Sequence, residues 1–260
     1  MKTKTSISVV LYPITFLLLL LALWQTADWI WKIPRIILPS PWEIGTESFH
    51  RINDLLSATL ITAQAALVGF VLALVIGTTL GLLFSVSKIA RLGAYPYMIF
   101  LQTVPIVAIA PLIIIWFGGG MASIVVIVTV ISLFPIVTNV TTGLRSVDTG
   151  LLDLMTLYQA TPHQILFKVR WPNAIPYLVT GAKISSGLTI VGAVIGEYMA
   201  GHGIDEQGLG YYIFMSSQTF KTEILFASIF LSSLLGVTMV TAVAVISRTL
   251  LAQWTFRLER

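Results

Sequence analysis

Residues 92–144 read LGAYPYMIFLQTVPIVAIAPLIIIWFGGGMASIVVIVTVISLFPIVTNVTTGL, without one charged side chain. As a single straight helix this stretch would be about 80 Å long, more than twice the ~30 Å hydrocarbon core of a bilayer, so it has to cross twice. Gly118, Gly119 and Gly120 mark the break. The reading places one span near residues 95–117 and the next near 122–142, and it makes lipid the solvent of this chain.

Other uncharged blocks extend the pattern in both directions. Residues 7–24 carry an unbroken run from Leu17 to Leu21, and residues 58–85 form the apolar centre of a long block between Asp54 and Lys88. Residues 224–247 give a last span. The fifth, near 177–200, is interrupted by Lys183 and Glu197, and it crosses only if Lys183 snorkels to one surface and Glu197 lies near the other. A signal peptide is the competing interpretation of the first block, since Lys2 and Lys4 precede it. The block is long for that and lacks a small-x-small cleavage site.

Composition agrees. Hydrophobic residues make up 57% of the 260, charged ones 10%, and mean hydropathy is +0.93, against roughly 25% charged for a soluble domain. The expected fold is an all-α integral membrane protein, one domain over 1–260 with six transmembrane helices. Lys and Arg collect on one side of this topology, ten against four with Lys183 set apart. The enriched side is expected to be cytoplasmic, with both termini on it. The net charge of +4 is topology rather than a sign of a nucleic-acid partner.

This arrangement leaves residues 143–176 as a cytoplasmic loop between helices 4 and 5, the longest connection on that side. Asp153 to Tyr158 has helical composition. Thr161-Pro162-His163-Gln164 then supplies a helix start, with Thr161 as N-cap, Pro162 at N1 and Gln164 completing a capping box. Ile165, Leu166 and Val169 would give this short helix an apolar face until Trp171-Pro172 ends it. Such a pair of helices either lies on the membrane surface or fills a groove in another protein.

The stretch from Asp153 to Gly181 resembles the EAA loop of binding-protein-dependent ABC importer permeases. Three further segments are similar to the branch holding the nitrate, taurine, alkanesulfonate and thiamine-precursor permeases: Leu38-Pro39-Ser40-Pro41, the run from Gln102 through Pro105 and Pro111 to Gly118, and Gly208-Leu209-Gly210-Tyr211. The resemblance implies a coupling helix that docks on an ATPase subunit through Asp153, Gln159, Ala160, Thr161, Pro162, Ile165 and Leu166. It implies two ATP-binding subunits carrying ATP and Mg, a second permease copy, a solute-binding protein outside, and the bacterial inner membrane as location. The third-span wording looks more like permeases for pyrimidine-type vitamin precursors or riboflavin than like those for nitrate. A sulfonate-type organic solute is the other substrate class it suggests. In two places the chain departs from the pattern: Asp153-Leu154-Met155 stands for Glu-Ala-Ala, and Gln159 stands where the loop has its glycine. A residue other than glycine pays about 1 kcal/mol or more for a left-handed turn, so either the turn has another shape or the strain is borne.

No cysteine is present, no Gly-Lys dipeptide exists to begin a Walker A loop, and His50, His163 and His202 have no ligand spacing. The chain is therefore expected to carry no catalytic residues, no metal and no cofactor of its own. The solute pathway needs the few polar groups of the spans, and the candidates are Gln64, Gln102, Thr103, Asn139, Ser185, Ser186 and Thr189. Pro105 and Pro111 suit a gate or a fixed bend in the third span. The competing function is an ion-gradient-driven secondary transporter, which predicts several intramembrane carboxylates or an inverted repeat; only Glu197 is found.

Overall fold

The computed structural model describes residues 4–201 and 207–258, with side chains over 11–201 and 207–249. Lys2, His202, Gly203 and Arg260, and the side chains of Lys4 and Arg257, fall outside these ranges. The described residues are helices joined by short turns, with no strand among them.

The centre is built by small residues. Lipid tails give helices no hydrophobic reason to associate, so close backbone approach and van der Waals contact must hold them together. Helix α3 (Ile52–Val86) carries Ala65, Gly69, Ala73, Gly77, Gly81 and Ser85 at intervals of four, all buried. Side chains four apart share one face of a helix. A Cβ on Gly69 would run into Val128, and one on Gly77 would lie 2.8 Å from Ile136, both on α6 (Met121–Arg145). Helix α9 (Trp171–Ala200) repeats the device with Gly181, Ser185, Thr189, Ala193 and Glu197. Its Gly192 and Gly196 would touch Val128 and Ile124 of the same α6. Thus α6 is clasped between α3 and α9, and Ser185 Oγ donates across the contact to Ser132 O at 2.6 Å.

Among the described residues five helices are long and apolar enough to cross a membrane: α1 (Lys4–Trp31), α3, α6, the segment Pro162–Ala200, and α11 (Thr222–Leu258). The third expected span is not one helix. It consists of α4 (Lys88–Thr103) and α5 (Ile106–Phe117), bent by 104° at Val104-Pro105. At 1.5 Å per residue these halves are about 24 and 18 Å long, too short to cross alone. Their packing shows that they cross together. Met98 of α4 joins Phe84, Phe134 and Val137 toward one end of the bundle, whereas Ala110 and Ile113 of α5 join Ile127 toward the other. Pro105 supplies the break, because it lacks an N–H and biases Val104 away from helical ψ; Val104 sits at ψ 124. Pro111 stays inside α5.

At a second proline the outcome reverses. Trp171-Pro172 does not end the short loop helix as expected. Helix α8 (Pro162–Ile165) runs through a π-helical turn, Leu166–Arg170, directly into α9. Trp171 N–H reaches back to Leu166 O. The wider turn accommodates the missing proline donor without interrupting the helix.

On the side remote from this loop, α2 (Pro41–His50) begins at a capping box in which Ser40 Oγ accepts from Glu43 N–H and Glu43 Oε2 accepts from Ser40 N–H. Thr222 Oγ1 donates to Arg35 O there, and the rings of Trp24 and Phe226 meet in a tilted pair. These contacts bring the end of α1 beside the start of α11. It follows that the beginning of α1 and the end of α11 share the side of the α7–α8 loop, where α7 is Thr149–Leu157.

Candidate functional site

The loop forms as its residues dictate. Asp148 caps α7, its Oδ1 accepting from Gly150 N–H at 2.6 Å. The helix closes in a Schellman motif, with Ala160 N–H on Met155 O and Gln159 N–H on Thr156 O, both 2.9 Å. This motif requires a left-handed residue, and Gln159 supplies it at φ +52. The turn expected of glycine is kept, and its strain is carried by glutamine. Thr161 Oγ1 then accepts from Gln164 N–H, while Gln164 Oε1 accepts from Thr161 N–H, the expected capping box.

Burial separates the loop's apolar residues into two sets. Val169 is buried and Leu166 packs against the cluster of Leu144 and Ala174, so the face expected to meet a partner is largely turned onto the chain's own core. Ile165 is half-buried, as is Ala160; Asp153, Gln159, Thr161 and Pro162 are exposed. The apolar side chains left most open are Leu157 at 79% exposure, Tyr158 at 76% and Phe167 at 54%, with Leu151 and Leu154 also exposed. The ring of His163 lies 4.5 Å from that of Phe167. Sequence reasoning missed this second set. Its signal was available in the spacing Leu154, Leu157, Tyr158, one helical face with no opposite number in the loop.

The polar residues of the spans also divide. Ser185, Ser186 and Thr189 are fully buried, their hydroxyls bonded to Ser132 O, Lys183 O and Ser186 O. Asn139 is half-buried and its Nδ2 donates to Pro135 O at 2.7 Å. Of the four, Ser185 bonds across to α6, while Ser186, Thr189 and Asn139 bond carbonyls of their own helices. Gln64 is exposed on α3. Gln102 and Thr103 are exposed at the α4–α5 bend and line a cavity of about 310 Å³ with Pro105, Ile109, Phe134 and Leu188. No charged side chain lines it.

At the opposite end of α9 from the loop, Glu197 is fully buried. Its Oε2 accepts from Gly210 N–H at 2.7 Å and from Thr62 Oγ1 at 2.9 Å, and Thr62 Oγ1 in turn accepts from Leu209 N–H at 2.8 Å. The carboxyl group thereby sits on the first turn of α10 (Leu209–Thr219), whose N-terminal amides have no partners of their own within the helix. Any Cβ at Gly208 or Gly210 would overlap Glu197, which explains both glycines of Gly208-Leu209-Gly210. This knot ties α3, α9 and α10 together. Glu197 is thus a structural partner of the α10 N-terminus.

Comparison with known proteins follows the same lines. Residues 52–257 match the family described as binding-protein-dependent transport system inner membrane component. The chain is 34% identical to the riboflavin transport system permease protein RibX of Chloroflexus aurantiacus, over 93% of this chain and 89% of that one. It is 31% identical to the formylaminopyrimidine transport permease protein ThiX of Halalkalibacterium halodurans, over 87% and 89%. An inward-facing structure of the MetNI methionine ABC transporter contains a chain that superposes with a TM-score of 0.55 at 25% identity, covering 73% of this chain and 95% of that one. Helices α1 and α2 precede the matched region, in keeping with their place at the edge of the bundle. With the fold, the loop and these relatives in agreement, the chain belongs to the family of binding-protein-dependent transport system inner membrane components and is the permease subunit of an ABC importer.

Proposed function

We propose that this permease imports a small uncharged or heteroaromatic solute of the vitamin-precursor kind, driven by two ATP-binding subunits that dock on the α7–α8 loop. The observation that carries the docking half is the exposed set Leu157, Tyr158 and Phe167 beside the Gln159–Pro162 turn, on a loop whose backbone is internally satisfied. An apolar surface held on a rigid capped turn suits a groove in a partner protein. The loop side is then cytoplasmic, which agrees with the basic residues gathered there and puts the ends of α1 and α11 inside. ATP and Mg belong to the partner chains. A second permease copy would complete the pathway, and a solute-binding protein would deliver cargo at the Glu197 side.

The solute class rests on the α4–α5 cavity, where Gln102 and Thr103 are the polar side chains and no cation is present to hold a sulfonate or nitrate. Two of the relatives are named for formylaminopyrimidine and riboflavin transport, and the proposal extends that chemistry to this chain. Asn139, Ser185, Ser186 and Thr189 play supporting parts in the wall rather than contacting solute. The ion-gradient alternative falls with the family assignment.

The test is uptake by the reconstituted importer with its cognate binding protein. Uptake of a pyrimidine-type solute, reduced several-fold by Gln102→Leu and absent without the ATP-binding subunit, is the expected result. Preferential uptake of a sulfonate would overturn the solute class. Uptake that persists without the ATP-binding subunit would overturn the energy source.

A further inference from the structure

At the loop end of the bundle, the junctions of α3 with α4 and of α6 with α7 enclose a pocket of about 380 Å³ that the transport reading does not use. Lys88, Arg91, Arg145 and Arg170 line it, together with Ser85 and Leu152, and no acidic side chain among the described residues does. Four like charges around one cavity repel one another unless an anion is present. Among the described residues the ion pairs are Arg35–Glu43 and Arg51–Glu47, both at the other end of the molecule, so none of the four pairs with an acidic side chain of the described residues.

A second observation points to a ligand. Ser85 is 6% exposed and its Oγ has no hydrogen-bond partner, although it forms part of the pocket wall. A buried hydroxyl left without a partner costs about 1–3 kcal/mol, a cost that an acceptor oxygen in the pocket removes. Helix α4 also begins here, adding the positive end of its dipole. The chemistry required is that of a phosphate oxygen cluster.

The surroundings select the source of that phosphate. Val86, Ile89 and Leu92, interleaved with Lys88 and Arg91, are 58%, 86% and 66% exposed. They stand where α3 leaves the hydrocarbon core, so an acyl chain would lie on them while its headgroup entered the pocket. We infer that this basic pocket binds the phosphate headgroup of an anionic phospholipid of the loop-side leaflet. Basic pockets between membrane helices on that side are suited to such headgroups. The bound lipid relieves the repulsion among the four cations and pins the α3–α4 corner to the base of the coupling loop through Arg170. The inference requires neither ATPase docking nor a particular solute.

The full chain, purified in mild detergent, is titrated with phosphatidylglycerol, phosphatidylcholine or inorganic phosphate, and retained lipid is counted by native mass spectrometry alongside thermal midpoints. Phosphatidylglycerol is expected to be retained about tenfold or more over phosphatidylcholine, the scale of one charge-assisted contact. Arg91→Gln with Arg170→Gln should bring retention down to the phosphatidylcholine level while the lipid-free midpoint stays put. Ser85→Ala should lower it about two- to threefold. Lys168→Gln, an exposed charge outside the pocket, should leave it unchanged. Equal retention by the double variant, or an equal loss in Lys168→Gln, overturns the inference. Protection by inorganic phosphate without any preference among lipids reassigns the pocket to free phosphate and also overturns it. A double variant that keeps its lipid but loses the ATP-binding subunit shows a protein contact instead, and contradicts the lipid assignment.

Discussion

The two ends of α9 solve opposite problems. At the Glu197 end the acidic group, two glycines, Thr62 and the first turn of α10 are closed into a buried knot. At the loop end a Schellman motif and a capping box satisfy the backbone of the turn, yet Leu157, Tyr158 and Phe167 are left open. One end spends its apolar and polar groups on itself, and the other reserves apolar surface for something else. A helix running from the loop through the core to the knot connects them rigidly, as an element that transmits a docking event across a membrane should.

Perturbations of this comparison are ordered by size. The largest effect belongs to the core that both ends depend on. Gly77→Leu places atoms where Ile136 stands, and a cost of about 3 kcal/mol or more is expected, read as loss of the folded species in detergent unfolding. An unchanged midpoint would mean α3 and α6 do not pack as described. Next comes the knot: Glu197→Ala strands Gly210 N–H, for about 1–3 kcal/mol, while Thr62 Oγ1 keeps Ala58 O and Leu209 N–H; Glu197→Gln keeps an acceptor and should cost about 1 kcal/mol or less. Equal losses in the two variants would show that the acceptor oxygen is not what matters. The smallest is at the loop, where Gln159→Gly removes left-handed strain of about 1–2 kcal/mol but adds backbone freedom of about 0.5–1 kcal/mol, for a net gain near 0.5 kcal/mol. A destabilised Gln159→Gly protein would show that the glutamine side chain contributes more than its backbone costs.

Charge-free lengths made the helical, membrane-crossing character of the chain legible, because lipid imposes a length that nothing else in a sequence imitates. The behaviour of prolines was not legible. Pro105 breaks the third span by 104° and Pro172 is absorbed by a π-helical turn, and nothing local to Val104-Pro105 or Trp171-Pro172 distinguishes the cases. What differs is the packing around each. Ile106 begins a new helix on the α6–α9 side of the bundle, whereas Leu166 and Trp171 anchor the π turn on Leu144 and Ala174.

The serines of α9 teach a related point. As isolated polar residues in a span, Ser185, Ser186 and Thr189 looked like pathway candidates. Taken with Gly181, Ala193 and Glu197 at four-residue spacing, Ser185 and Thr189 belong to a small-residue stripe that faces another helix. For the loop, amphipathicity identified an apolar face on Ile165, Leu166 and Val169 but not its direction, since a face that meets a partner and a face that meets one's own core have the same spacing.

That direction is the point on which the account can be tested most directly. Leu166→Asp and Phe167→Asp differ by one position in sequence and fall on opposite sides of the division between core and open surface. Co-purification with the ATP-binding subunit, together with the thermal midpoint of the permease alone, reads both consequences. The account predicts that Phe167→Asp leaves the midpoint in place, a stability change of no more than about 0.5 kcal/mol, and weakens binding of the subunit by about tenfold or more, while Leu166→Asp lowers the midpoint itself. Retention of the ATP-binding subunit by a folded Phe167→Asp permease that still couples hydrolysis to transport would contradict the account.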